Sequence, residues 1–213
     1  KYGARDYLLK HQLTAPSLLE VLQSALAQIH QNLQQRRHYE TSKRILRQEF
    51  IRDMLLGRVK EPSVLRQRVK ELDLPLGGHT FMMGILALDD FPLLKAGMTP
   101  PEEGRLIASI KDLLADILQE VKQGAMTHLT PGKFILIFAG EEKRSERNFG
   151  QFVQTTLSRS MSSLRRYLNI SVSCQMSAIF DRLQRCQEIY EQSDMCLRDH
   201  MLTASGRLFT ALP

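Results

Sequence analysis

The chain has 213 residues, of which 43% are hydrophobic and 24% charged, a composition typical of folded domains rather than disordered ones. Its longest apolar runs, 81–88 and 134–139, are far shorter than the ~18–20 residues that cross a bilayer, so no membrane partner is expected. The three cysteines, Cys174, Cys186 and Cys196, have no CxxC spacing. They indicate reduced thiols and therefore a cytoplasmic protein.

The net charge of +6 is concentrated in one segment. Between Gln34 and Lys70 there are eleven basic and four acidic residues, a net charge of +7, whereas the rest of the chain is almost neutral. Such a basic arm could approach nucleic acid, but a solvated face of a long helix explains the same pattern. The arm has no series of aromatic residues on which bases would stack, so only weak, nonspecific DNA binding is expected.

A long helix is predicted near the start of the chain. Ser17 and Glu20, behind Pro16, form a capping-box pattern that predicts its beginning. Apolar residues then recur at three- and four-residue steps along one face: Leu18, Leu22, Ala25, Leu26, Ile29 and Leu33.

This apolar face fades over residues 34–44 and resumes until Gly57, so a break in the helix is expected near residues 36–41. A narrow apolar stripe cannot be buried by one helix alone. It requires either packing on its own globular domain or pairing with a second copy in a coiled coil. The sequence leaves both alternatives open.

After a short helix that begins at Pro62, strands and helices alternate. The predicted strands are 80–89, 125–129, 133–139 and 170–176, and the predicted helices are 99–124, 145–168 and one that Asp181 and Gln184 would cap. Thr130-Pro131-Gly132-Lys133 predicts a type II turn between the second and third strands. The order β-α-β-β-α-β-α indicates an α+β, ferredoxin-like domain, with helices covering one face of a mostly antiparallel sheet.

Motifs for metal or cofactor chemistry are missing. The sequence contains no HExxH, no Cys/His cluster, no calcium-binding loop and no P-loop, so no cofactor and no metal are expected. Asp89-Asp90 is the only paired carboxylate at a strand end. We interpret it as a turn before Pro92 rather than as part of a metal or acid/base site, because no further acid from a neighbouring element is in view.

The first ten residues carry a local resemblance. The segment from Gly3 to Lys10, GARDYLLK, resembles the last strand of a response-regulator receiver domain. The resemblance implies that Tyr7 is the aromatic switch residue and that Lys10 is the lysine that contacts the aspartyl phosphate. His11 stands where that family usually has proline, and the phosphoacceptor aspartate would lie upstream of Lys1.

A second resemblance covers most of the remaining chain. The segment RQEFIRDMLLG, which ends at Gly57, the strand 81–89 and the segment 181–200 resemble the middle region of YesN-like response regulators. These are two-component transcription factors with a receiver, a helical linker, a degenerate GGDEF-like domain and an AraC-type pair of helix-turn-helix motifs.

That resemblance implies three segments: a receiver remnant (1–29), a helical linker able to form a coiled coil (30–61) and a degenerate GGDEF-like regulatory domain (62–213). It also implies three partners for the parent protein. These are a second copy through the long helix, a sensor histidine kinase through the missing receiver, and DNA through a missing C-terminal domain.

GGDEF enzymes make cyclic di-GMP, and the resemblance identifies their functional positions in this chain. The metal-binding aspartate would fall at Ala87, with Asp89 retained two residues later, and the acidic pair of the hairpin is replaced by Gly132 and Lys133. Phosphoryl transfer needs carboxylates that hold divalent ions. The sequence-based expectation is therefore that the chain is not an enzyme and has no catalytic residues, but transmits a signal between receiver and DNA-binding domain.

Two alternatives remain open at this stage. One is a small-molecule or nucleotide sensor, in which Lys133 at the hairpin tip would favour an anionic ligand. The other is an active diguanylate cyclase.

Overall fold

A computed structural model describes residues 15–140 and 145–210; within the first helix, the side chains of 15–18, 20, 21 and 36–38 are left out of the description. The helices are α1 (Ala15–Leu55), α2 (Pro62–Glu71), α3 (Phe91–Ala96), α4 (Pro100–Val121), α5 (Glu146–Leu168) and α6 (Cys186–Met201). The strands are β1 (Thr80–Leu88), β2 (Gly124–Thr130), β3 (Lys133–Gly140), β4 (Val172–Met176) and β5 (Leu208–Thr210). A short 3₁₀ helix at Leu183–Arg185 precedes α6, where the sequence had suggested that Asp181 and Gln184 cap the helix directly.

The chain divides into two compact units, residues 1–45 and residues 46–213. Helix α1 is uninterrupted over 41 residues, so the expected break near residues 36–41 is wrong. The segment has no glycine or proline, and nothing in its backbone chemistry ends a helix there. The receiver-like residues Tyr7 and Lys10 lie outside the described residues.

The second unit contains a five-stranded sheet in the order β2-β3-β1-β4-β5. All neighbouring pairs are antiparallel except β4 and β5, which are parallel. The α+β class and the order of elements from Thr80 are confirmed, with α3 and β5 as additions. Within the described ranges, no helix combines the length and the apolar character that crossing a bilayer would need.

Helices cover both faces of this sheet, which corrects the expectation of one covered face. On one face, Met83 and Ile85 of β1 pack with the end of α1, with α2 and with α6. On the other face, Leu86 and Leu88 pack with α4 and α5. The continuous apolar run of β1 is explained by burial on both sides, since a strand with one solvated face would alternate with polar residues.

One local prediction, the turn after β2, is confirmed in detail. Gly132 has φ +80° in the turn between β2 and β3, as a type II turn requires. At the start of α4, the backbone N–H of Thr99 donates to the Glu102 carboxylate at 2.7 Å. The Thr99 hydroxyl also donates to this carboxylate, and this hydrogen bond first, then the backbone one, lowers the pKa of Glu102.

The three cysteines are free thiols, as the sequence predicted. Cys174 and Cys186 are buried, and burial raises the pKa of Cys186 to about 12. Neither thiol is therefore poised to act as a nucleophile.

Candidate functional site

The positions singled out by the GGDEF resemblance converge at one end of the sheet. Ala87 lies directly opposite Lys133 in the antiparallel register of β1 and β3, and opposite Ser173 of β4 on its other side. Asp89 follows Ala87 by two residues and so lies on the same side of the strand. Gly132 lies beside them, because its carbonyl accepts the backbone N–H of Leu88 at 2.8 Å.

Helix α6 contributes a buried acid to this region. Asp194 is only 5% exposed, and its carboxylate forms an ion pair with the ammonium of Lys133. Arg198 donates to the second oxygen of the same carboxylate, from Nε at 2.9 Å and from Nη2 at 2.5 Å. A buried carboxylate is costly unless cations compensate its charge, and here two cations do so. The nearby Tyr190 hydroxyl has a raised pKa, first because it is partly buried and then because Asp194 is negative.

The ammonium of Lys133 is therefore engaged inside the protein. The sensor alternative had placed this side chain at the hairpin tip, where it would attract an anionic ligand. An ammonium that already neutralises a buried carboxylate is a poor anion receptor, since ligand binding would have to break the ion pair.

Both oxygens of the Asp89 carboxylate are hydrogen-bonded. Its two carboxylate oxygens accept the hydroxyls of Ser171 and Ser173, each at 2.6 Å. The Ser173 oxygen in turn accepts the backbone N–H of Gly206 at 3.0 Å, which ties the segment before β5 to the end of β1. Asp90 has φ +52° and precedes α3, so the acidic pair lies at a turn where the strand ends.

A third contact completes the polar region. Nδ1 of His200 in α6 lies 3.1 Å from the side-chain oxygen of Gln175 in β4. The imidazole ring also stacks on Phe209 of β5, with ring centroids 4.4 Å apart. We call this region the α6 polar layer; its members are Asp89, Lys133, Ser171, Ser173, Gln175, Asp194, Arg198 and His200.

Sequence reasoning identified Asp89 and Lys133 but missed Asp194 and His200. One signal was present in the sequence. The buried positions Cys186, Ile189, Ser193 and Leu197 recur at three- and four-residue steps along α6, and Asp194 lies next to this face. A charged residue on the buried face of an amphipathic helix predicts a charged partner on the facing element.

The α6 polar layer does not fit a divalent cation at the GGDEF metal position. Mg²⁺ is held by oxygen ligands such as carboxylates, whereas the layer offers a methyl group at Ala87 and an ammonium at Lys133. Of the two buried carboxylates in the layer, Asp89 already accepts two hydroxyls and Asp194 already pairs with Lys133 and Arg198. In the part of the chain that the structure describes, no group of three or more His, Cys, Asp or Glu residues could hold a metal ion.

The end of α1 forms a second set of specific contacts within the second unit. Arg47 donates to the carbonyls of Leu72 and Asp73 at 2.7 and 2.9 Å, after the end of α2. Arg52 donates to the carbonyl of His128 at 3.1 Å, near the end of β2. These arginines of the basic arm therefore hold elements of the domain together, which weakens the interpretation of the arm as a nucleic-acid surface.

Comparison with solved structures identifies a GGDEF-like fold. The GGDEF domain of FimX from Pseudomonas aeruginosa superimposes with a TM-score of 0.51 at 13% identity, covering 70% of this chain and 92% of that one. The active GGEEF domain of a diguanylate cyclase from Vibrio cholerae gives a TM-score of 0.48 at 13% identity, with 70% and 91% coverage. The diguanylate cyclase SiaD from Pseudomonas aeruginosa, solved with its activator SiaC, gives 0.49 at 16% identity, with 92% and 76% coverage.

No family model and no curated protein matches the sequence. The structural neighbours nevertheless correct one expectation. The expectation that the chain is not an enzyme is contradicted, because the fold that it shares with the FimX domain is the GGDEF fold. At these identities the likeness establishes the fold.

Proposed function

We propose that this chain is a signal-transmission region of a two-component response regulator, in which self-association of α1 sets the state of the GGDEF-like domain. The observation that carries the proposal is an exposed apolar stripe on α1. We call it the α1 stripe; its members are Leu19, Leu22, Leu26, Ile29 and Leu33. Each of these side chains is between 45% and 55% exposed.

The spacing of the α1 stripe favours a second copy of the same helix as its partner. Its members are three, four, three and four residues apart, which is the a/d spacing of a coiled coil. A stripe with this repeat is self-complementary, because each side chain can insert between those of an identical helix. About half of each side chain remains to be buried, and burial of a whole leucine contributes about 1.5–3 kcal/mol.

Charge does not oppose this pairing. Residues 17–33 contain a single acid, Glu20, and no lysine or arginine. Two copies aligned along the stripe would therefore bring few like charges together. The excess positive charge begins only at Arg36.

The contacts of the other end of α1 support a route for the signal. Phe50, Ile51, Met54 and Leu55 of α1 are buried in the core of the second unit. Arg52 holds the carbonyl of His128 just before the turn between β2 and β3. That turn leads to Lys133, which pairs with Asp194 of α6. A rotation of α1 would thus be passed to α6 and to the C-terminal strand, since packed elements shift as units.

The response-regulator context is supported by the resemblances at residues 3–10 and 47–57. In that context, receiver phosphorylation by a histidine kinase would change the pairing of α1, and the domain would pass the change to a DNA-binding domain. The encoding gene provides a direct test. We expect an acidic pocket with a phosphoacceptor aspartate upstream and a pair of helix-turn-helix motifs downstream. Flanking sequence that encodes neither would contradict this context.

Sedimentation of the chain tests self-association. We expect a reversible dimer for the wild-type protein and for Gln31→Glu, which adds the same charge on the opposite side of the helix. Leu26→Glu should be monomeric at the same concentrations, because it puts a carboxylate into the stripe. A wild-type chain that stays monomeric at every soluble concentration, or a dimeric Leu26→Glu variant, would contradict the proposal.

Hydrogen exchange tests transmission. Amides of α6 should exchange at different rates in the wild-type dimer and in monomeric Leu26→Glu. In Arg52→Ala the dimer should persist, but the exchange of α6 should no longer depend on association. Transmission through α1 does not require that the domain turn over GTP, so a GTP assay is run on the same samples as a separate measurement.

A further inference from the structure

A cavity of about 550 Å³ lies in the second unit, between α2 and the segment before α6. We call it the α2 cavity. Its walls are formed by α2, by residues 73–81 and by residues 181–184. A volume of this size falls in the usual range of about 300–1,000 Å³ for small-molecule sites. It is remote in sequence from the α1 stripe, and no residue of the α6 polar layer lines it.

The floor of the α2 cavity is apolar and well packed. Leu65, Val69, Leu74, Leu76 and Phe81 contribute to it, and each is between 1% and 8% exposed. They belong to the core on the α6 side of the sheet. Because core side chains are held by their neighbours, this floor is preformed and would receive an apolar ligand group at little cost in entropy.

The rim of the α2 cavity is positively charged. Arg66 and Lys70 lie one turn apart on α2, and both line the cavity. The Nε of Arg66 donates to the Pro62 carbonyl at 3.3 Å, which leaves the two terminal amino groups of the guanidinium for other acceptors. Among the described residues, neither Arg66 nor Lys70 forms an ion pair.

The acids that line the cavity already have cationic partners. Asp73 pairs with Arg47 at 3.5 Å. Asp181 pairs with Arg182 at 3.3 Å and with Arg185 at 4.0 Å. The uncompensated charge at the mouth is therefore positive, above an apolar floor.

We propose that the α2 cavity binds a small organic anion whose apolar body lies on the Leu65–Phe81 floor and whose carboxylate or phosphate is held by Arg66 and Lys70. A guanidinium and an ammonium one helical turn apart can both donate to one anionic group. Such a site would make the domain a ligand sensor, with the ligand in the α2 cavity rather than at Lys133. It does not depend on dimerisation of α1.

Calorimetric titration of the whole chain with three probes of equal chain length tests the site. Decanoate and decyl phosphate carry the two anionic groups, and decylamine carries a cation on the same apolar body. Each is used below the concentration at which it forms micelles. We expect saturable binding with one site for at least one anion, and at least about tenfold weaker binding of the amine. The anion that binds more tightly shows whether the site prefers a carboxylate or a phosphate group. Equal binding of anion and amine, or no saturable binding of either anion, would overturn the proposal.

Charge reversal locates the site. Arg66→Glu with Lys70→Glu should weaken anion binding at least about tenfold, because an attractive pair of charges becomes repulsive. Arg105→Glu with Arg147→Glu changes the total charge equally, at exposed positions on α4 and α5 outside the cavity, and should leave binding unchanged. Equal losses in both double variants would overturn the assignment.

A cavity-filling variant provides an independent check. Leu183 is half-buried in the cavity wall, and Leu183→Trp should abolish anion binding by occupying the space. Thermal unfolding confirms that each variant is folded. The rim variants alter exposed side chains, so they decide the question even if Leu183→Trp is unstable.

Discussion

Lys133 and Asp194 form an ion pair that joins the first residue of β3 to the buried side of α6. The two residues are 61 positions apart in the chain. The carboxylate is almost fully buried, whereas the lysine side chain is 23% exposed. This pair links α6 to the hairpin, and Lys133 lies at a position that the GGDEF resemblance had assigned to the catalytic hairpin.

Removal of the lysine charge should destabilise the domain. Lys133→Met keeps the length of the side chain but leaves Asp194 with Arg198 alone, whose side chain is 71% exposed. We expect the free energy of unfolding to fall by about 1–3 kcal/mol in urea titrations. The double variant Lys133→Met, Asp194→Leu should recover part of the loss, because no buried charge is left without its partner. An unchanged midpoint for the single variant would show that the pair is energetically neutral.

Asp89 should act as a structural anchor for the segment before β5. Asp89→Ala removes the acceptor of two hydroxyl hydrogen bonds, and we expect a loss of about 2–3 kcal/mol. Hydrogen exchange should become faster at the Gly206 amide and in β5. Ser171→Ala, which removes only one of the two donors, serves as the control and should cost less. Equal protection of β5 in all three proteins would refute the anchoring role.

Two glycines should respond oppositely to alanine. Gly132 has φ +80°, and a Cβ there would lie 2.8 Å from Cγ of Phe91. Gly132→Ala should therefore cost about 1–3 kcal/mol. Gly104 lies in the exposed part of α4, where a Cβ would meet nothing within 4 Å. Gly104→Ala should stabilise by about 0.5–1 kcal/mol, and thermal unfolding of both variants checks the contrast.

His128 should make stability depend on pH. Burial lowers its pKa from 6.5 to about 4, with smaller contributions from the positive charges of Lys111 and Arg52. Between pH 6.5 and 4 the unfolded chain binds more protons at this residue than the folded chain does. The stabilisation is therefore complete above pH 6.5 and is lost as the pH falls toward 4.

Urea titrations across this pH range check the effect. His128→Gln should show a smaller decline in the free energy of unfolding between pH 6.5 and 4. Above pH 7 the difference between the two proteins should no longer change with pH. The same decline in both proteins would mean that another group is responsible.

Short-range patterns could be interpreted correctly from the sequence. The turn at Gly132 depends on four neighbouring residues, and its prediction is confirmed. The partner of Lys133 could not be predicted, because Asp194 belongs to an element 61 positions away in the chain.

The amino-acid sequence by itself determined the order of the helices and strands apart from α3 and β5, since periodicity and turn chemistry act over a few residues. It also determined which face of each helix is apolar. Only the tertiary structure decided that helices pack on both faces of the sheet and that Lys133 is neutralised by Asp194. It also decided that Arg52 holds a carbonyl 76 positions away. These contacts join distant segments, and an apolar face specifies that a partner is needed without specifying which one.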